Sequence, residues 1–139
     1  MHRITIICVG KFKEKWQREA AAEYLKRLSR FSKIEEVELE EKDNEDKLLR
    51  ISEGKGMRIL LDIDGDLATS EKISETIESN GKLCFIIGGS NGVSKEFKSK
   101  MDARISFGRI TLPHNMARIV LLEQVYRAFT IIEGSGYHK

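Results

Sequence analysis

Two cysteines and one proline occur in the whole chain of 139 residues, no apolar run approaches the length of a bilayer crossing, and neither sign of charge dominates. Each scarcity excludes something. Cys8 and Cys84 each sit inside an apolar run, IICVG and LCFII. They read as small buried hydrophobes of a reducing compartment, not as a disulfide framework. No Cys/His spacing suits zinc, so no metal is expected. Without a membrane-length stretch no span is expected. The chain opens directly on a strand-like run, so no signal peptide is expected and a cytoplasmic protein is. A formal net charge of +2 does not announce a nucleic-acid binder in bulk.

Charge is nevertheless unevenly placed. Residues 1–33 carry nine Lys or Arg against three acids, and residues 34–55 carry nine acids against four bases. That asymmetry permits a basic face able to meet phosphate, although a solvated helix face would look the same. With 40% hydrophobic and 33% charged residues the composition is globular, and the length favours one domain over 1–139.

The pattern alternates strand and helix. Strand signals run from Arg3 to Val9, Ile34 to Leu39, Met57 to Ile63, Leu83 to Ile87 and Arg104 to Phe107. Helical spacing is expected over Lys13 to Arg30, Glu45 to Glu53, from a Ser70 cap to Asn80, in a short helix opened by Ser94, and over Asn115 to Ile132. Asp64-Gly65-Asp66 is expected to turn. The sum is an α/β fold, a mainly parallel sheet flanked by helices. The last helix has more apolar positions than one stripe needs, among them Ile119, Val120, Leu121, Leu122, Val125, Phe129 and Ile132. That excess predicts a second buried face and a homodimer through it.

Three clusters carry possible chemistry. The first is Ile87-Gly88-Gly89-Ser90-Asn91-Gly92-Val93-Ser94, a buried strand that ends in glycines and opens into a helix. Ligands of open parallel sheets bind at such carboxyl ends, and glycine admits close backbone approach. A tight turn with no ligand is the plain alternative. The spacing is neither a dinucleotide fingerprint nor, around Val9-Gly10-Lys11, a phosphate loop. Asp62, Asp64 and Asp66 read as a polar turn, since the glycine is misplaced for a calcium loop. The second cluster is Leu112-Pro113-His114 with Arg118. Arg118 at a helix start opposes the helix dipole, which points to an anionic partner. The third is Tyr126-Arg127 with the tail Gly134-Ser135-Gly136-Tyr137-His138-Lys139. A hinge followed by Tyr, His and Lys has the means to stack on a base, move a proton and meet a phosphate.

Taken together, these residues resemble the RlmH family of SPOUT-class methyltransferases of bacterial large-subunit ribosomal RNA. The likeness rests on Leu61-Asp62-Ile63-Asp64-Gly65, the Ile87 to Gly92 loop, Leu112-Pro113-His114 with Arg118, Tyr126-Arg127-Ala128 and the Tyr137-His138-Lys139 end. The resemblance spans nearly the whole chain, including Ile7-Cys8-Val9-Gly10-Lys11. It implies a SPOUT-type α/β knot with a C-terminal trefoil, a homodimer, and S-adenosylmethionine (SAM) as cofactor. The SAM pocket maps by resemblance onto Leu61, Gly88, Phe107, Gly108, Arg109, Ile110, Thr111 and Leu112. The implied reaction is methylation of N3 of a pseudouridine in 23S rRNA on the ribosome. His138 is the first candidate for deprotonating or positioning that base, His114 the second; Arg118 and Arg127 would hold phosphate or carbonyls, and Tyr137 would stack. The region Glu41 to Gly54 reads as shorter than in typical members. The competing reading is a non-catalytic dimeric RNA-binding module of the ribosome.

Overall fold

A computed structural model describes residues 2–139. Five strands form one sheet in the order β2-β1-β4-β3-β5, with every neighbouring pair parallel. They are β1 (His2–Val9), β2 (Ser32–Leu39), β3 (Met57–Leu67), β4 (Lys82–Ile87) and β5 (Ala103–Ser106). The helices between them are α1 (Lys15–Leu28), α2 (Glu45–Ser52), α3 (Ser70–Ser79), α4 (Lys95–Ser99) and α5 (His114–Glu133).

Alternation along the strands sorts side chains onto two faces. Ile4, Ile6 and Cys8 of β1, with Leu83, Phe85 and Ile87 of β4, face α1, α3 and α5. Ile7, Leu60, Cys84 and Ile86 face α2 and α4, where Leu48 and Phe97 cover them. The central strands are buried on both faces, which is why they read as unbroken apolar runs.

α5 is the middle helix of its layer, flanked by α1 and α3. Leu121, Leu122, Val125 and Ala128 are fully buried in this single chain. Helices of the same chain cover part of the apolar excess of α5, while Met116, Ile119, Val120 and Ile131 stay half-buried outside the two core clusters.

Two local expectations are revised. β3 does not end in a turn at Asp64. Both Leu61 and Asp66 pair with Ile105, so Asp62 to Gly65 bulge outward between two contacts with β5. Gly65 makes this possible, because a Cβ there would stand 2.7 Å from the Arg104 carbonyl carbon. Thr69, not Ser70, caps α3, its Oγ1 accepting from the Lys72 amide at 3.0 Å.

Candidate functional site

The carboxyl ends of β3, β4 and β5 open on a cavity of about 820 Å³. Three chain segments build it: the end of β3, the glycine loop after β4, and the crossing from β5 to α5. Its apolar lining includes Leu60, Leu61, Ile87, Ile105, Phe107 and Ala117, and its polar groups include Asp62, Asp64, Lys98 and Ser106. A concave, mostly apolar site with a few convergent polar groups is the general form of a small-molecule pocket. The volume and the exposed loop backbone fit a nucleoside-sized ligand.

The cavity gathers most of the residues expected at it. Leu61, Gly88, Phe107, Gly108, Ile110, Thr111, Leu112 and His114 all line it. Gly108 has φ +129°, which L side chains rarely adopt, and nothing lies within 4 Å of where its Cβ would be. The Ser106 hydroxyl pins this turn, donating to the Gly108 carbonyl at 2.7 Å and accepting from its amide at 3.1 Å. His114 is seated against Gly10, where a Cβ would come within 2.7 Å of His114 Nε2. The Asn115 side chain donates to the Lys11 carbonyl at 3.3 Å. The Val9-Gly10-Lys11 turn, too irregular for a phosphate loop, thus forms the seat of the α5 start.

Five expected residues lie elsewhere: Arg109, Arg118, Arg127, Tyr137 and His138. Arg109 turns back from the cavity and donates to the carbonyls of Ile63 and Gly65, bracing the β3 bulge. Arg118 is buried, 3% exposed. Its guanidinium meets Glu36 at 2.9 Å and Glu38 at 2.7 Å, both on β2, and lies 4.0 Å from the Phe12 ring centroid. The anionic partner that its awkward helix position called for is inside the chain, so Arg118 is not free to hold phosphate. Burial works against its charge, but the Cys8, Glu38 and Glu36 surroundings outweigh this and raise its pKa above the ordinary value.

Tyr137 and His138, in the tail beyond α5, fold back against its far stretch. Tyr137 donates to Glu123 at 2.8 Å and packs edge-on against Tyr126 at 4.9 Å. Arg127 bonds Glu123 at 2.8 Å, and His138 bridges Arg127 and Glu71. At about 1.5 Å per helical residue, Arg127 stands about 20 Å along α5 from His114. In one chain the tail and the cavity are separate places.

One group at the cavity was missed. The Asp62 side chain is 6% exposed and pairs with Arg104 at 3.0 Å and Lys98 at 3.2 Å. Burial alone would push this carboxyl up; the Asp64 amide, Arg104 and Lys98 outweigh it and hold the pKa below the usual carboxylate value. Its partners lie far along the sequence, so no local pattern marks the pair.

No helix among the described residues is long and apolar enough to cross a membrane. Among the described residues no three His, Cys, Asp or Glu side chains gather as a metal site.

Comparison with known proteins follows the same lines. Residues 2–138 match the family model described as "Predicted SPOUT methyltransferase". Ribosomal RNA large subunit methyltransferase H of Oenococcus oeni is 45% identical over 160 residues, covering 100% of both chains. The protein of that name from Streptococcus uberis is 45% identical over 158 residues, covering 99% of each. The one from Caldicellulosiruptor saccharolyticus is 42% identical, covering 98% of this chain and 99% of its own. The solved structure of a probable methylase family protein from Haemophilus influenzae superposes with a TM-score of 0.58 at 13% identity, over 95% of this chain and 66% of that one. That likeness speaks for the fold alone.

Proposed function

The chain belongs to the SPOUT methyltransferase family, and from that premise we propose that it transfers a methyl group from SAM to N3 of a pseudouridine in 23S rRNA on the ribosome. The observation that carries this reading is the cavity at the ends of β3, β4 and β5, lined by Leu61, Gly88 and the Phe107 to Leu112 crossing. Relatives over the full length bear the name of a large-subunit rRNA methyltransferase. A non-catalytic RNA-binding module would leave this cavity without a use.

SAM, when bound, supplies a methyl already activated on a sulfonium. The chain's own part is to align, to exclude water and to take away a proton. Backbone groups of the glycine loop and the crossing hold the cofactor, with Leu61, Phe107 and Leu112 as apolar walls. The acceptor nitrogen carries a proton that must leave, so a base is needed. We assign that role to His138, with the cavity-lining His114 as the second candidate, and Tyr137 would stack on the target base. Arg127, on the same stretch of α5, contacts phosphate or the base carbonyls.

The tail and the cavity are about 20 Å apart along one α5, so the reading requires a homodimer in which the tail of one copy serves the cavity of the other. Exposed Ile110 and Leu112 on the cavity rim offer apolar surface for that contact, at 80% and 38% exposure. The C-terminal trefoil knot of the family belongs to the same reading. The basic residues of α1, Lys15, Arg18 and Lys26 among them, would meet rRNA phosphates. Their contribution falls steeply with added salt.

The test is transfer of labelled methyl from SAM to ribosomes lacking the modification, followed by mapping of the labelled nucleotide. Label in 23S rRNA at a pseudouridine is expected. Absence of label, or label elsewhere, would reject the assignment. A Gly88→Val variant is expected to lose SAM binding, because its side chain is forced toward Val93, 3.2 Å from the Cβ position.

A further inference from the structure

The loop from Gly88 to Ser94 is a partition with open space on both sides. Its cavity-facing side is the site described above. On its other side lies a smaller cavity of about 330 Å³, walled by the β2–α2 connection and the start of α2. Gly89, Asn91, Gly92 and Val93 line both cavities. A thin wall between two hollows has little packing to hold it, so its position depends on its ties.

The ties come from two carboxylates. Glu45, the first residue of α2, accepts from the Ser94 amide at 2.8 Å and from the Ser94 hydroxyl at 2.5 Å. Glu41 accepts from the Ser90 amide at 3.3 Å. Hydrogen bonds to an ionised acceptor are the strong ones. Both carboxylates stand on a braced turn. Asp43 accepts from the Glu40 amide at 2.8 Å and from Lys47 at 3.1 Å, and Asn44 caps α2 by accepting from the Lys47 amide at 2.8 Å. Leu48, 3% exposed, anchors α2 to the sheet.

Gly89 marks how closely the loop and Glu41 approach. Its φ is not positive, so no turn demands a glycine there. A Cβ at that position would stand 2.7 Å from Oε1 and 2.8 Å from the carboxyl carbon of Glu41, so the end of this exposed side chain would have to swing off the loop to admit it. The glycine makes room for Glu41.

We infer that Glu41 and Glu45 are positioning residues for the cofactor loop: they hold Gly88 to Ser94 from behind and so set the affinity for SAM. This rests on the methyltransferase reading above, and the experiment separates the two. SAM binding is titrated calorimetrically on the full chain and on Glu45→Ala, Glu45→Gln, Glu41→Ala, Gly89→Ala and the Gly89→Ala/Glu41→Ala pair. Exchange of the Ser94 amide is followed in the same proteins without SAM.

Glu45→Ala is expected to weaken SAM binding about fivefold to tenfold, with turnover at saturating SAM retained. Glu45→Gln keeps a neutral acceptor and recovers part of the loss. Gly89→Ala weakens binding in the parent chain but adds little once Glu41 is gone, the non-additivity of a direct contact. Ser94 amide exchange accelerates in Glu45→Ala while amides of β1 and β4 stay protected. Unchanged SAM affinity in both glutamate variants, additive Gly89 and Glu41 effects, or unaltered Ser94 exchange would overturn the inference. If the parent chain binds no SAM, the methyltransferase reading falls instead, and Ser94 exchange still decides whether the ties exist.

Discussion

Nη1 of Arg127 lies 3.1 Å from Nδ1 of His138. A guanidinium only donates, so this ring nitrogen accepts and carries no proton. The hydrogen of the neutral imidazole then sits on Nε2, which donates to Glu71 at 2.7 Å. In this geometry Arg127 occupies the lone pair that His138 would use as a base.

The tautomer is measurable. Nitrogen-15 shifts of His138 in the free protein are expected to report the neutral ring with its hydrogen on Nε2. Arg127→Ala removes the donor facing Nδ1 and shifts the population toward a mixture. A ring with its hydrogen on Nδ1 in the parent protein would contradict the docked geometry.

The docked tail has limits at both ends of the pH scale. Burial and the Glu123 hydrogen bond push the Tyr137 phenol up to about 12, from an ordinary 10.0. A pKa raised on folding gives stability that is complete below pH 10 and lost as pH rises toward 12. For Glu123 burial acts upward, but Arg127 and Tyr137 outweigh it and set the pKa below the ordinary 4.5. That contribution is present above the ordinary value and lost as pH falls through the lowered one. Ultraviolet titration of the tyrosines should show a late-ionising component that vanishes in Tyr137→Phe. Its survival in that variant would assign it to Tyr24 or Tyr126.

Arg118 is expected to matter for stability more than for RNA binding. Arg118→Ala leaves Glu36 and Glu38 facing each other beside Phe12 without their shared cation. The carboxylates left behind reach solvent, at 19% and 32% side-chain exposure, so the loss is that of charged hydrogen bonds and packing, about 2 kcal/mol. Arg118→Lys recovers little, because a point charge cannot span two carboxylates as the guanidinium fork does. Denaturant unfolding gives the loss. The salt dependence of ribosome binding, measured where the variant is folded, should keep its slope; a shallower slope would return Arg118 to the phosphate contacts.

These cases also mark what was legible beforehand. The five parallel strands and their helices follow from apolar runs and period, which are local signals. The glycine loop after β4 was legible because loop chemistry is written in consecutive residues, whereas the Phe107 to Leu112 crossing came from the family resemblance. Arg118 was correctly marked as needing an anion, but its partners on β2 are more than a helix-plus-strand away in sequence, so the pattern could not say which anion. Asp62 with Lys98 and Arg104, and Ser94 with Glu45, were invisible for the same reason. α5 shows the limit of reading one helix alone: α1 and α3 flank it and take up much of its apolar excess, which no local signal announces, while Met116, Ile119 and Val120 are left half-buried.

The separation of tail and cavity along α5 leads to a complementation experiment. His138→Ala lacks the assigned base, and Gly88→Val lacks the cofactor seat. Each homodimer is expected to be inactive. In a mixed dimer, one cavity comes from the His138→Ala copy and is served by the intact tail of the Gly88→Val copy. Random pairing of equal amounts makes about half the dimers mixed, each with one complete site. The mixture should therefore recover about a quarter of the parent activity per site. If the tail served its own cavity, every site in a mixed dimer would lack one part, and the mixture would stay as inactive as its components. Co-expression under two affinity tags isolates the mixed dimer and raises the expected value to about half.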